Sequence, residues 1–303
     1  MPFNEVFLNN AAKPVAVKSI TDDIKYVREV LRAATKQLHL DFPVEIYMHG
    51  SYANDTNTYF PSNLEVCAEL VIPDFDFTML GNYYIKHNLP YTPKNFRDDL
   101  ANTFEDMKID FKESDKCLVL PKGGNLKHNV EITPCFSFKL RSDDNKEFVG
   151  ILLHDIYRKA DIASFPKLHQ NNGTIKDRAT NGNFKKMVRA YKSIKTIVNR
   201  ENTEDYFLHN PNARGYFIEC LLFNVPNELY TGKTIGEVFL KVTNYLSQAE
   251  IHDFPCQNGV WHLFARANEF WKLPEAHKYI TSMRIAYNEF DEGRTELSLA
   301  QPK

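Results

Sequence analysis

No stretch of this chain strings eighteen apolar residues together, so no segment is expected to cross a membrane as a helix. The opening residues, MPFNEVFLNNAAK, lack the basic-then-apolar order of a secretion signal. Cysteine is too scarce and too scattered for a disulfide framework. There are five, at 67, 117, 135, 220 and 256, an odd number with no CxxC spacing. They read as buried thiols of a reducing cytosol, and a cytoplasmic location is expected. His252 and Cys256 are spaced for one half of a zinc site, but nothing supplies the other half. Charge of one sign is missing too: the formal net charge is -2 over 303 residues. Global charge therefore favours neither nucleic acid nor membrane, and any polyanion must be met by a local patch.

What is present suits a soluble globular chain long enough to bury a sizeable core, as one large or two modest domains. Residues 15–40 have the spacing of a long amphipathic helix. Ile20, Ile24, Val27, Leu31, Ala34 and Leu38 recur three and four apart and define a buried face. On the opposite face the same winding gathers Lys18, Lys25, Arg28, Arg32 and Lys36, a stripe that is either simply solvated or a seat for RNA. Pro43 ends the helix, and Val44 to Met48 forms a short strand.

The stretch HGSYANDTNTYFPSNLEVCAEL, residues 49–70, then opens on a small-residue turn, Gly50-Ser51. Gly50 lets a phosphate approach the backbone closely and Ser51 adds a hydroxyl. A strand over Leu64 to Val71 follows, and alternation puts Asn63 and Glu65 on one of its faces. Such a turn, followed by two metal-binding side chains one residue apart, suits a nucleotidyltransferase site in which the turn grips a triphosphate. A surface turn followed by an edge strand is the alternative. Further on, 94–107 has helical spacing, and two strands, 116–121 and 127–135, flank the Lys122-Gly123-Gly124-Asn125 turn. The second carries a lone acid, Glu131, which either faces solvent or binds something cationic. Residues 141–182 look irregular. From Asn183 the pattern turns helical, with Phe184, Met187, Val188, Tyr191, Ile194 and Val198 on one face of the first helix and Lys185, Arg189 and Lys192 on another. Further helices are expected near 213–223, 234–249, 259–271 and 274–289.

With Gly50-Ser51, Asn63-x-Glu65 and Glu131 in order, the chain resembles the polymerase-β-like nucleotidyltransferases, and more closely their bacterial cGAS/DncV-like branch. The likeness runs through GSYANDTN and PSNLEVCAEL, NVEITPCF, HQNNGTIKDRATNGNFKKMVRAYKSIK and GYFIECLLFNVP, over roughly residues 20–225. It implies an α+β fold, with a nucleotidyltransferase core on a long N-terminal spine helix over 1–165 and an α-helical lobe of the oligoadenylate-synthase type over 166–290. A tail over 291–303 is expected to be flexible. It implies that Gly50 and Ser51 hold the donor triphosphate, that Asn63, Glu65 and Glu131 bind two Mg²⁺ (or Mn²⁺) ions, and that Lys185, Arg189 and Lys192 face phosphates. The implied activity joins NTPs into a cyclic di- or trinucleotide signal of anti-phage defence. RNA is a candidate activator on the spine helix, a downstream effector reads the product, and the protein works as a monomer away from membranes.

One departure matters: the family pattern has an acid where this chain has Asn63. An amide oxygen can ligate a hard cation but brings no negative charge. Three accounts stay open: an engineered Asp→Asn, a branch that works through Glu65 and Glu131 alone, or a degenerate fold that senses RNA or nucleotides. Asp74 and Asp76 lie in a loop too far from Gly50-Ser51 to substitute. An enzyme adding nucleotides to tRNA ends is a further reading; it requires a strongly basic cleft.

Overall fold

The computed structural model describes residues 4–14, 20–58, 62–72, 78–80, 84–141, 146–201, 214–264 and 271–289. The expected tail, together with Asp74, Asp76 and Lys18, lies outside the described residues. Contacts divide the chain into a sheet unit, Ala16–Ala53 with Ser62–Gln170, and a helical unit, Met1–Val15 with Asn54–Pro61 and Asn171–Lys303. The division falls at 170/171 rather than 165/166, and two short segments from the N-terminal half belong with the helices.

The sheet unit is built on nine strands among the described residues, in the order β1-β2-β7-β8-β9-β4-β3 with β6 and β5 branching from β7. These are β1 Val44–His49, β2 Leu64–Leu70, β3 Thr78–Leu80, β4 Tyr84–Lys86, β5 Lys112–Glu113, β6 Leu118–Leu120, β7 Val130–Arg141, β8 Glu147–Asp155 and β9 Ala160–Ser164. Only β2 and β7 run parallel; every other pair is antiparallel, so the sheet is mixed. Both strands of that parallel pair are covered on both faces. They accordingly read as near-continuous apolar runs with Val66, Ala68, Leu70, Ile132 and Phe136 buried. β7 is long enough to serve three partners, β2 along its first half, β6 at its start and β8 along its second half.

Helix α2, Ile20–Gln37, buries Ile20, Ile24, Val27, Leu31 and Ala34. It ends at Gln37, so Leu38 falls beyond its end, and residues 15–19 of the expected span lie outside the described residues. After the four-residue α3, Gly50–Ala53, the sheet unit's next helix is α4, Pro93–Asp106. Thr92 caps it in a reciprocal box with Asn95, with Pro93 in the first turn, where a missing N–H does no harm. Its Phe96, Leu100 and Phe104 are fully buried, and the Phe96 ring lies 6.2 Å from that of Phe136.

Residues 141–182 are not irregular. They hold β8, β9 and helix α5, Pro166–Ala179. The strand GILLHD is buried on both faces and so lacks alternation. The helix is rich in Asn and Gly, poor local helix formers whose preference tertiary packing overrides. The chain passes into the helical unit within α5.

The helical unit holds α1 Glu5–Ala11, α6 Asn183–Glu201, α7 Gly215–Phe223, α8 Ile235–Gln248 and α9 Leu273–Glu289, with a 3-10 turn at Asn227–Tyr230. Tyr191 on α6 anchors it: its hydroxyl pairs with Thr243 Oγ1 at 2.6 Å and its ring sits 4.8 Å from that of Phe239. Phe184, Met187, Val188 and Ile194 are buried as their spacing predicts. Glu5 on α1 accepts from the Ile235 and Gly236 amides, satisfying the open N-terminus of α8. No helix occupies the described part of 259–271. There the chain doubles back, with an antiparallel bridge from Pro255 to His262 and a 2.7 Å bond from Cys256 N–H to the Trp261 carbonyl. Cys256 is buried, while His252 is exposed and pairs with the adjacent Asp253.

Candidate functional site

The site begins with strand register. Glu65 on β2 and Glu131 on β7 are direct partners across the parallel pair, so both side chains stand on one face of the sheet. On the other side of β2, His49, the last residue of β1, pairs with Glu65. The chain then turns through Gly50 into α3, and the turn has two requirements that only glycine meets. Its φ is +69°, and a Cβ there would fall 1.6 Å from Glu65 Oε2. The Glu65 carboxylate thus fills the space under the turn and accepts the Ser51 backbone N–H at 3.2 Å. Ser51 Oγ lies 3.4 Å from Ser62 Oγ.

Asn63 enters this group from just before β2. Its Nδ2 donates to Glu131 Oε1 at 2.6 Å, and its Oδ1 accepts from Asn129 Nδ2 at 3.3 Å. Asn129 also ties the two strands by backbone, its carbonyl accepting the Leu64 N–H at 2.9 Å. The start of β7 is fixed from below by Asp23, a fully buried carboxylate on α2. It accepts the Lys127 and His128 amides, each at 3.0 Å, and pairs with His128 Nδ1 at 2.8 Å.

The electrostatics follow from two carboxylates sharing a face. Burial, reinforced by the neighbouring Glu65, raises the pKa of Glu131 against the opposing pull of the Asn63 amide and His49. Burial alone lowers the pKa of His49, but the Cys67 sulfur, Glu65 and Glu131 outweigh it and raise the pKa to about 9. His49 Nε2 also lies 3.5 Å from Thr133 Oγ1. An imidazolium beside two carboxylates partly offsets their repulsion; a hard divalent cation would offset it more fully. The donors suit such an ion: two carboxylates and an amide oxygen are all hard oxygen ligands. Among the described residues no three His, Cys, Asp or Glu side chains converge as a metal set.

Lys185, Arg189 and Lys192 lie on α6 in the helical unit and are committed to protein partners. Arg189 Nε donates to the Ala12 carbonyl at 2.6 Å, and its guanidinium also binds the Asp55 carbonyl. Lys185 Nζ is 3.7 Å from Asp55 Oδ2, and Lys192 pairs with Glu219 on α7. Lys25, Arg28, Arg32 and Lys36 are exposed on α2, as the stripe requires. Asp22 borders it at its N-terminal end, where it holds Lys127 at 3.0 Å.

Four residues escaped the sequence reading: His49, Asn129, Asp23 and Glu219. His49 and Asn129 directly precede assigned motifs, so their neighbours were the only signal. Asp23 was hidden because an acid in the first turn of a helix normally needs no other explanation.

A mixed sheet carrying paired carboxylates beside a Gly-Ser turn, with a mostly helical second unit, defines a nucleotidyltransferase fold. Residues 171–288 match the family model for the cGAS/DncV-like nucleotidyltransferase C-terminal helical domain. Among curated relatives, the chain is 26% identical over 254 residues to the cyclic UMP-AMP synthase of Rhodothermus marinus, covering 79% of this chain and 83% of that one. It is 29% identical over 280 residues to the cyclic dipurine nucleotide synthase of Elizabethkingia meningoseptica, covering 88% and 92%. The structure of Rhodothermus marinus CdnE c-UMP-AMP synthase with Apcpp and Upnpp shares the fold. Its TM-score is 0.79 at 24% identity, covering 96% of this chain and 99% of the other. The chain is similar to the bacterial cGAS/DncV-like nucleotidyltransferases in its helical half, in its curated relatives and in its fold.

Proposed function

We propose that this chain condenses NTPs into a cyclic di- or trinucleotide, with Mg²⁺ or Mn²⁺ ions bound by Glu65, Glu131 and Asn63. The observation that carries the reading is the register pairing of Glu65 with Glu131 beside the Ser51 amide. The names of the relatives support it, since each is a cyclic nucleotide synthase. In each transfer the attacking 3′- or 2′-hydroxyl oxygen bonds to the α-phosphorus of an NTP. The bond from that phosphorus to its bridging oxygen breaks, and pyrophosphate leaves with the electron pair. The hydroxyl proton goes to Glu131, whose raised pKa suits a base. The cations supply charge neutralisation at the phosphates. Gly50 and Ser51 position the triphosphate by close backbone approach and by donated hydrogen bonds. Two transfers close a dinucleotide ring and three close a trinucleotide ring. In this reading the enzyme acts as a cytoplasmic monomer in anti-phage defence, an effector reads the product, and RNA on the α2 stripe is the candidate activator.

One observation favours a second reading, a catalytically weakened sensor of RNA or nucleotides. Asn63 Nδ2 already occupies one oxygen of Glu131, which an ionised Asp would leave free. Incubation with radiolabelled NTPs and Mg²⁺ or Mn²⁺, with and without structured RNA, separates the two. A phosphatase-resistant cyclic product supports the enzyme. Salt-sensitive RNA binding without product, even after Asn63→Asp, supports the sensor.

A further inference from the structure

Residues 54–61 are framed at both ends by the site: Gly50-Ser51 precede them and Asn63-x-Glu65 follow. Yet the described ones, 54–58, pack with the helical unit. Asn54, Thr56 and Asn57 are buried there, and the polar groups of Asn54 and Thr56 converge on one carboxylate. Glu219, only 3% exposed, accepts Asn54 Nδ2 at 3.1 Å on Oε2 and Thr56 Oγ1 at 2.7 Å on Oε1. Lys192 completes the cluster by binding Glu219 Oε1 as well as Thr56 Oγ1 at 3.1 Å. Between these contacts Asp55 adopts a φ of +55°, with its carbonyl bound by Arg189 and its carboxylate near Lys185. A left-handed residue at a loop apex, held through its own carbonyl, is a position that the surroundings over-determine.

Buried charge explains why the clamp is tight. A carboxylate and an ammonium removed from water are tolerated only when paired and hydrogen-bonded, and losing one partner strands the other. The fixed point of the loop therefore lies in α6 and α7. We infer that Glu219, with Lys192, is a positioning residue for the transfer site: it holds residues 54–57 and thereby sets where Gly50-Ser51 and Asn63 stand. The inference rests on the reading of those residues as triphosphate and cation ligands. It assigns the α6 cations a role in holding the loop rather than in meeting phosphate directly.

The test uses the full chain with Glu219→Leu, Lys192→Met, both together, and Glu219→Gln in case the larger changes prevent folding. Lys176→Met is the control. Lys176 is a buried lysine of the same unit that bonds the Val225 carbonyl and Asn227 Oδ1. Hydrogen exchange is read first. In the folded loop variants, amides of 50–53 and 62–65 are expected to exchange about ten-fold faster or more, with 66–70 unchanged. The control leaves 50–53 and 62–65 unmoved. Kinetics follow: each single loop variant is expected to lose about ten-fold or more in kcat/KM, mainly through KM for NTP. The double should be no worse than Lys192→Met, because it strands no charge. Unchanged exchange at both flanks in a folded variant overturns the inference, as does an equal loss in Lys176→Met. A wild-type chain that makes no product refutes the proposed function instead, and the exchange result still decides the role of the clamp.

Discussion

Gly50 is where geometry makes the sharpest demand, and Gly50→Ala tests it. The substitution carries two separable costs. The first is backbone: an alanine held at φ +69° sits in the left-handed region, at about 1–2 kcal/mol. The second is steric. The new Cβ would lie 1.6 Å from Glu65 Oε2 and 2.2 Å from its Cδ, so the carboxylate must swing out and release the Ser51 N–H. Because the obstructing atoms end a flexible side chain, the clash itself relaxes. What remains is the lost hydrogen bond to a charged group, about 1–2 kcal/mol. The expected total is about 2–4 kcal/mol in the wild-type background. In a Glu65→Ala background the carboxylate is already gone and only the backbone part, about 1–2 kcal/mol, should remain. Chemical denaturation of the four proteins in this cycle, followed on the sheet unit's transition, measures the difference. Turnover supplies the second readout: displacing Glu65 should lower kcat by about 100-fold or more, beyond the ten- to hundred-fold typical of outer-shell changes at metal sites. Equal stability costs in both backgrounds, or near-wild-type turnover in Gly50→Ala, would refute the claim that Glu65 occupies the space beneath the turn.

Asn63→Asp should destabilise the metal-free protein by about 1–3 kcal/mol, since it replaces a donor to Glu131 with a third like charge. Added Mg²⁺ should raise its melting temperature more than that of the parent, and turnover should rise about ten-fold or more; absence of both effects would remove position 63 from the cation site. Glu131 titrates above its ordinary 4.5 in the folded state, so the folded form binds the extra proton. Metal-free stability should therefore fall as pH rises from about 4.5 through the folded pKa, and Glu131→Gln should abolish that slope and shrink, without removing, the His49 slope between about 6.5 and 9, since Glu131 is one of the groups that raise His49. A Gln variant with the parental slope would contradict the assignment. Asp23→Ala should cost about 2–4 kcal/mol in denaturant melts by orphaning two amides and His128 at the start of β7. A loss under about 1 kcal/mol would mean water replaces the carboxylate easily. Charge reversal of Arg28 and Arg32 together should remove RNA stimulation and spare basal turnover, as both are exposed on α2. Equal loss of both would point to misfolding.

The parts of this fold that were legible in the sequence are those where local chemistry and tertiary structure agree. The helical spacing of 94–107 announces α4, and in the fold Thr92 and Asn95 cap its start. The apolar face of α6 is legible because a periodic stripe has one physical reading. β8 failed for the opposite reason. A strand covered on both faces loses the alternation that marks strands, and its flanking polar loops dominated the pattern. α5 failed because its Asn-Asn-Gly composition argues against a helix that only packing makes favourable.

The site divides along the same line. Gly50 and Ser51 could be found because their requirement is local, and Glu65 because alternation assigns its face. That Glu131 stands beside Glu65 depends on which strands pair and in what register, a tertiary fact that the surrounding β-branched residues do not encode. The α6 cations show the limit most clearly. Lys185, Arg189 and Lys192 share a helical face in sequence, and a shared face of cations invites an anion. In the fold their partners are the Asp55 carbonyl and carboxylate, the Ala12 carbonyl and Glu219, reached through buried contacts with residues far away in the chain. Spacing tells which side chains stand together; only the packed structure tells which of them already have protein partners.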